Sequence, residues 1–537
     1  MVNAGDEMGV AARAAAERGR RLALATLSAV LFLTFLDTTI VSVALADVQS
    51  SLHAGVSQLQ WVVNGYALTF AALMLGMGML GDRLGRRKVM VAGLAVFVAG
   101  SIAGALAPSV TVLVASRIVM GVGAAASEPG TLSILRHLYP ERAHRARALG
   151  VWAAVAGLAL AMGPVIGGVL VGLSGWRLVF WFNLAAGLAV LVTAGRTIPE
   201  SADPRGTRLD IAGLVLGPVA LGTAIFAVIH GETTGYADAA VLTLFAVSAA
   251  AAALFVLAER RSPDPVFDLR FLRRRPFTGS LLIVFAAYFG LFAIFFFTAL
   301  YLQVVTGYSA YRTAVLFMPM AAAMIAASAL TGRWVARAGP RVPAALGCLA
   351  AGVGILATDI ALRGQVDFTM LAASLALAGL GCGVTIVPVT SVALGVIPAE
   401  HSGMAAGATT TSRQLGAVVG VAVLGSLVNG HLTVDLTRRL AALGVPGGFR
   451  DLVINAVETG QVPKGGGGAA AAARQAFGPI VAHVIDAAYG AFRSGLSISL
   501  LISGVMMLVS AAVAWRMLAP ADQEQSASEE WPLDRAA

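Results

Sequence analysis

Runs of about twenty nearly uninterrupted apolar residues recur along the whole chain, and that is the length an α-helix needs to cross the hydrocarbon core of a bilayer. Fourteen such runs can be marked, at 22–46, 57–80, 89–107, 110–135, 148–172, 177–195, 210–230, 238–258, 277–303, 311–332, 342–362, 369–395, 403–429 and 495–518. They are continuous rather than alternating, which argues against a β-barrel. Of the 537 residues 58% are hydrophobic and only 12% are charged, against about 25% charged in soluble domains. Water cannot solvate such a surface, so lipid must. The expected fold is an all-α integral membrane protein with fourteen transmembrane helices, called here spans 1 to 14. The first run is too long for a cleavable signal peptide and carries Asp37, so it reads as an anchor that stays.

The formal charge of +9 does not point to nucleic acid, because the bases are gathered in alternate loops. Arg13, Arg18, Arg20 and Arg21 precede span 1; Arg83, Arg86, Arg87 and Lys88 follow span 2. Arg136, Arg142, Arg145 and Arg147 follow span 4, and Arg196, Arg205 and Arg208 follow span 6. Further clusters follow span 8 and separate spans 10 and 11, whereas the intervening short loops carry almost none. By the positive-inside rule the basic loops are cytoplasmic, and an even number of spans places both termini there. The expected order is a cytoplasmic segment 1–21, a six-helix bundle 22–196, two additional helices 209–258, a second six-helix bundle 276–518 and a disordered polar tail 519–537. This is a 6+2+6 arrangement. Residues 430–494 are read as a long external loop, whose bases escape the charge rule as those of long loops do. The turn at 332–341 weakly repeats the one at 81–88, which suggests duplicated halves.

Few polar residues fall inside the spans, and each needs a reason. Asp37 lies near the middle of span 1, where an unpaired aspartate costs about 2.5–3.5 kcal/mol on insertion scales. In low dielectric such a carboxyl either takes up a proton or pairs with a cation. Alternating between the two couples proton flow to conformation; a helix-packing or snorkelling aspartate is the plainer reading. Arg117 in span 4 cannot deprotonate, so it needs an acceptor, and Asp37 is the obvious candidate. Glu128 follows Arg117 by eleven residues, which returns it to about the same helix face roughly 16 Å along the axis. It reads as a second proton site, a substrate site or a gating residue. Span 9 places Phe285, Phe289, Phe292 and Phe296 at i, i+4, i+7 and i+11, on one helix face. Such a wall either stacks on flat lipophilic compounds or packs between helices. Arg413 and Gln414 form a polar patch at membrane depth in span 13. In span 5, Gly163 and Gly167 are one turn apart and admit a close neighbour, while Pro164 bends the helix. Cys348 and Cys382 lie in apolar runs and read as core fillers, and no metal or cofactor is expected.

Four motifs make the chain resemble the major facilitator superfamily, and within it the fourteen-span drug:proton antiporter branch. The segment Gly78-x-Leu80-Gly81-Asp82-Arg83-x-Gly85-Arg86-Arg87-Lys88 is similar to the signature between spans 2 and 3. Arg117-x-x-x-Gly121-x-Gly123 is similar to the span 4 arginine motif, and Gly157 through Gly163-Pro164 to Gly167-Gly168 is similar to the span 5 antiporter motif. Residues 36–45 are similar to the span 1 signature, with Ser42 and Ala46 where the branch usually has Asn and Pro. The resemblance implies a bacterial plasma-membrane carrier that exchanges protons for lipophilic or amphipathic organic compounds, working as a monomer and not as an enzyme. It implies proton coupling at Asp37, Arg117 and Glu128. It implies a conformational latch at Gly78, Asp82, Arg83, Gly85, Arg86 and Arg87. Candidate cavity residues are Trp61, Tyr66, the four phenylalanines, Gln303, Arg413 and Gln414. A proton symporter for a small metabolite and a non-transporting receptor or enzyme are the competing readings. No H-E-x-x-H, G-x-S-x-G or phosphate-loop motif supports an enzyme.

Overall fold

The computed structural model describes residues 4–139, 141–201, 211–262, 267–363, 367–397, 402–442 and 479–518. Among them every regular element is helical. Span 1 comprises α1 (Ala4–Ile40), a 3₁₀ segment (Val41–Ala44) and α2 (Leu45–Leu52). Then come α3 (Val56–Leu84), α4 (Arg86–Ala105), α5 (Val110–Leu138), α6 (Arg142–Ser174), α7 (Arg177–Thr197), α8 (Ile211–Thr234) and α9 (Ala239–Arg261). A short 3₁₀ turn (Leu269–Arg273) leads into span 9, built of α10 (Arg275–Ala293), a π segment (Ile294–Thr298) and α11 (Ala299–Val304). The chain continues through α12 (Ala310–Ala338), α13 (Arg341–Ala361), α14 (Phe368–Gly395), α15 (Ser402–Ala442) and α16 (Pro479–Met517). Thirteen of the described helical stretches are long and apolar enough to cross a membrane; α3 is a further helix of 29 residues.

Two groups of helices pack mainly within themselves and share one continuous apolar core. The first comprises α1 and α3–α7; the second comprises α10 and α12–α16. They meet where α6 lies against α12 and where α3 lies against α15. Helix α8 fills the groove between α3 and α15, and α9 rests on α8. Burial grades accordingly: 89% of the most apolar window of span 1 is enclosed, against 11% of that of α9. The outward residues are large and apolar, as in Leu173, Leu254 and Leu330, which is the surface a bilayer solvates.

Spans 1 and 9 both lose α-helical register, and the two irregular segments touch each other. In span 1 the cause is local. Thr38 Oγ1 donates to Phe35 O (2.6 Å) and Ser42 Oγ donates to Thr39 O (2.6 Å), so hydroxyls compete for carbonyls within one turn. Elsewhere backbone approach is very close. A Cβ added to Gly123 of α5 would stand 2.5 Å from Phe97 N of α4. Without hydrophobic attraction between helices in lipid, such small-residue contacts carry much of the packing.

The expected external loop 430–494 requires correction. Helix α15 continues to Ala442 and α16 begins at Pro479, so both ends of that segment are helical. Leu432, Leu436 and Leu440 form a buried stripe beside Val484, Ala487, Ala488 and Ala491, with Arg438 and Arg439 on the exposed side. An amphipathic helix has low mean hydropathy, which hid it among the polar residues. Residues 443–478, the linker 202–210 and the tail 519–537 lie outside the described residues.

Gly123→Leu is expected to force α4 and α5 apart, at a cost of at least the roughly 1–3 kcal/mol typical of overpacking. Gly157→Leu, where an added Cβ meets nothing within 4 Å, is expected to be tolerated. Fluorescence-detected size-exclusion chromatography of the two variants checks the contrast: loss of the monodisperse peak for the first and its retention for the second.

Candidate functional site

Asp37 and Arg117 come together at the centre of the first group, and both are 0% exposed. Arg117 Nη1 donates to Asp37 Oδ2, and Asn183 Nδ2 of α7 donates to Asp37 Oδ1. Arg117 Nε donates to Val62 O of α3 at 2.9 Å, and Nη2 reaches Asp37 O at 3.4 Å. The Tyr66 ring lies 4.5 Å from the guanidinium carbon, and its hydroxyl donates to Thr34 O at 2.7 Å. Four helices thus converge on one ion pair. Removing two ions from water costs several kcal/mol each, and these bonds to both carboxylate oxygens and to the guanidinium offset it. Asn183 was not anticipated from the sequence. Its only signal is a lone amide within an apolar span.

A second pair of charged residues lies deeper toward the face that bears the α3–α4 turn, here called the basic face. Glu128 of α5 and Arg413 of α15 are 2% and 5% exposed, and the charge of Arg413 acts on Glu128. Helix α5 continues through Pro129. Arg413 also faces the rings of Phe35 and Tyr288, at 5.7 and 5.9 Å. It therefore touches the surroundings of both helical groups. Gln414 beside it is buried.

The other predicted residues fall into distinct settings. On the basic face Gly85 adopts φ +112°, which a side chain would resist, and this sharp reversal admits the Glu200 carboxylate. Glu200 Oε1 accepts from Arg87 N (3.1 Å) at the start of α4, Arg86 N donates to Ser201 O (2.9 Å), and Arg87 Nε lies 3.8 Å from Glu200 Oε2. An acid at a helix N-terminus is favoured by the dipole. Asp82, also expected in this latch, has its side chain outside the described residues. Arg83 is exposed, and Gly78 lets α3 approach Pro129 of α5. Glu200 was missed because it stands more than a hundred residues from the turn it caps.

The span 5 glycines form a seam. Cβ atoms on Gly163 and Gly167 would strike Thr39 and Ile40 of α1, and one on Gly168 would strike Ala310 and Ala314 of α12. Pro164 is buried within α6, and Gly157 borders open space. Gln303 Nε2 donates to Val43 O at 3.0 Å, joining the two groups on the face opposite the basic one. Beside that bond is a cleft of about 510 Å³, lined by Asp47, Gly172, Gly175, Gln303 and Tyr308 among others. Trp61 faces away from this seam, its ring 5.7 Å from Phe226 of α8. Phe289, Phe292 and Phe296 are buried and Phe285 is half-buried. The π segment begins at Ile294, so Phe296 does not continue the i, i+4, i+7 face of the first three.

The model of the Major Facilitator Superfamily matches residues 27–421. The chain is 36% identical over 410 residues to the multidrug resistance protein Stp of Mycobacterium tuberculosis (strain CDC 1551 / Oshkosh), covering 76% of each chain. It is 32% identical over 508 residues to the tetracenomycin C resistance and export protein of Streptomyces glaucescens, covering 93% of this chain and 91% of that one. A crystal structure of a bacterial homolog to the human lysosomal transporter Spinster, inward-facing and unoccupied, superposes with a TM-score of 0.63 over 96% of this chain and 99% of that one. At 17% identity that likeness bears on the fold alone.

Breaking the buried pair from one side is expected to be worse than removing both charges. Arg117→Leu leaves an enclosed carboxylate and is expected to cost about 3–5 kcal/mol. The double variant Asp37→Asn with Arg117→Leu is expected to recover most of that loss. Thermal unfolding of purified protein in detergent, read for the two variants and the parent, checks the order.

Proposed function

Because the chain belongs to the Major Facilitator Superfamily, we propose that it is a fourteen-span, proton-coupled antiporter exporting lipophilic or amphipathic organic compounds across the bacterial plasma membrane. The single observation that carries the coupling is the enclosed Asp37–Arg117–Asn183 constellation. Arg117 keeps its charge at any physiological pH. A proton arriving at Asp37 therefore competes with a fixed cation, and its arrival releases Arg117 to other acceptors such as Val62 O, which it already engages. Four helices hold this one pair, so a change in its bonding is transmitted as a change in how they pack. Exporters among the relatives favour outward movement of substrate over uptake.

In this reading spans 1–6 and 9–14 are two six-helix halves, and spans 7 and 8 are additional. The basic face is cytoplasmic, as are both termini. The glycine seam of α6 is the pivot, because it brings α1 and α12 to backbone distance and leaves no side chain to catch. The α3–α4 turn and Glu200 act as a latch on the cytoplasmic face, and the Gln303–Val43 bond closes the external one. Substrate occupies the space between the halves, where Glu128, Arg413, Gln414 and Tyr288 lie. The carrier works as a monomer, each protomer holding a complete seam.

The test is Asp37→Asn, which keeps the shape and one hydrogen-bonding oxygen but removes the titrating group. The variant is expected to reach the membrane folded while proton-driven dye export falls at least tenfold. Inverted vesicles with an imposed pH gradient provide the measurement, and parental rates in the variant would sink the coupling role.

A further inference from the structure

The Asp37–Arg117 pair is fully bonded, whereas the second buried pair is not. Glu128 Oε2 and Arg413 Nε are enclosed atoms with no hydrogen-bond partner. Both residues are more than nine-tenths buried and belong to different helical groups. Their helices, α5 and α15, touch where the two groups meet, but no ion pair among the described residues joins the two side chains. Two aromatic rings lie beside Arg413: those of Phe35 and Tyr288, at 5.7 and 5.9 Å, and Tyr288 also bonds the Arg413 side chain. A buried donor and a buried acceptor left unmatched are costly, more so when charged. The site therefore favours an occupant that satisfies both at once beside the Phe35 and Tyr288 rings.

Charge restricts what that occupant is. Arginine cannot give up its proton, so the subsite always contains one positive charge. A permanent monocation is drawn to Glu128 but repelled by Arg413, with little water to screen the repulsion. A neutral compound that presents an acceptor to Arg413 and a donor to Glu128 meets no such penalty. Deepening the export reading on which it rests, we infer that Glu128 and Arg413 form one two-part subsite for the polar edge of a neutral, flat compound carrying a hydrogen-bond donor beside an acceptor. Cyclic amides are the simplest members of this class. Arg413 is the residue that discriminates against permanent monocations.

Two fluorescent probes share one tricyclic body and differ only in this edge: phenanthridin-6-one, a neutral lactam, and 5-methylphenanthridinium, a permanent cation. Equilibrium binding to purified full-length protein is expected to favour the lactam at least tenfold. Arg413→Gln is expected to raise the affinity for the cation at least tenfold and lower that for the lactam. Adding Glu128→Gln to that variant is expected to cancel the gain. Arg413→Lys keeps the charge and is expected to keep the order of preference. Should Arg413→Gln not yield folded protein, Glu128→Gln alone decides. It leaves Arg413 uncompensated, so the cation is expected to weaken at least tenfold and the lactam less than threefold. Tighter binding of the cation by the parent, no binding of the lactam, or cation affinity indifferent to either residue overturns the inference. Vesicle transport separates this from the broader reading. Proton-driven movement of both probes with affinities indifferent to Glu128 and Arg413 defeats the subsite alone, and no proton-driven movement of either probe defeats the antiport reading itself.

Discussion

An aspartate and an arginine with no exposed surface, bonded to each other inside a group of apolar helices, set the terms for the first half of this protein. Neither ion is tolerable there without groups to bond it. Asp37 is satisfied by Arg117 and Asn183, and Arg117 by Asp37 and Val62 O, with the Tyr66 ring alongside. These groups come from α1, α3, α5 and α7, so the four helices cannot shift independently without exposing a charge to hydrocarbon. The glycine contacts between α4 and α5 are consistent with this demand, because they permit the helix spacing at which the bonds can close.

The second half carries its polar groups differently. Asp359 and Arg493 tie α13 to α16, with Arg493 Nη2 bonded to Asp359 Oδ1 at 2.9 Å and Arg363 also bonded to that carboxylate. That cluster lies near one end of its helices and reads as a staple. Arg413 lies within the apolar span of α15, between Phe35 of the first half and Tyr288 of its own. The asymmetry is physically informative: one half holds a self-contained ion pair, and the other offers a cation across the seam. Where the halves meet, small residues and single hydrogen bonds do the joining. The Gln303–Val43 bond and the α6 glycines belong to that contact, and buried apolar residues of both groups fill the rest of it.

The spans were legible because insertion in lipid is decided by composition over about twenty residues, and composition is what a sequence displays. The pairing of Asp37 with Arg117 was legible for a related reason: two charges in otherwise apolar helices have few possible partners. Asn183 and Glu200 were not. An amide in a span or an acid after one is common, and nothing local says that it will reach a carboxylate on span 1 or the start of α4. The ends of α15 and α16 were misread as loop because their apolar stripe is diluted by polar residues on the opposite side. The aromatic face of span 9 assumed an unbroken helical period, which the π segment interrupts.

By itself the sequence determined that the chain is a bundle of membrane-length helices, that its basic turns gather on alternate loops and that a buried acid and base require each other. These follow from the cost of exposing polar groups to hydrocarbon, which acts residue by residue. Only the tertiary structure decided that Trp61 faces α8, that Glu200 caps α4, and that Glu128 and Arg413 are both buried on helices of different groups. Those outcomes depend on crossing distances and rotations of helices far apart in the chain. Such distances are set by which small residues meet, and that is a property of the packed pair rather than of either helix.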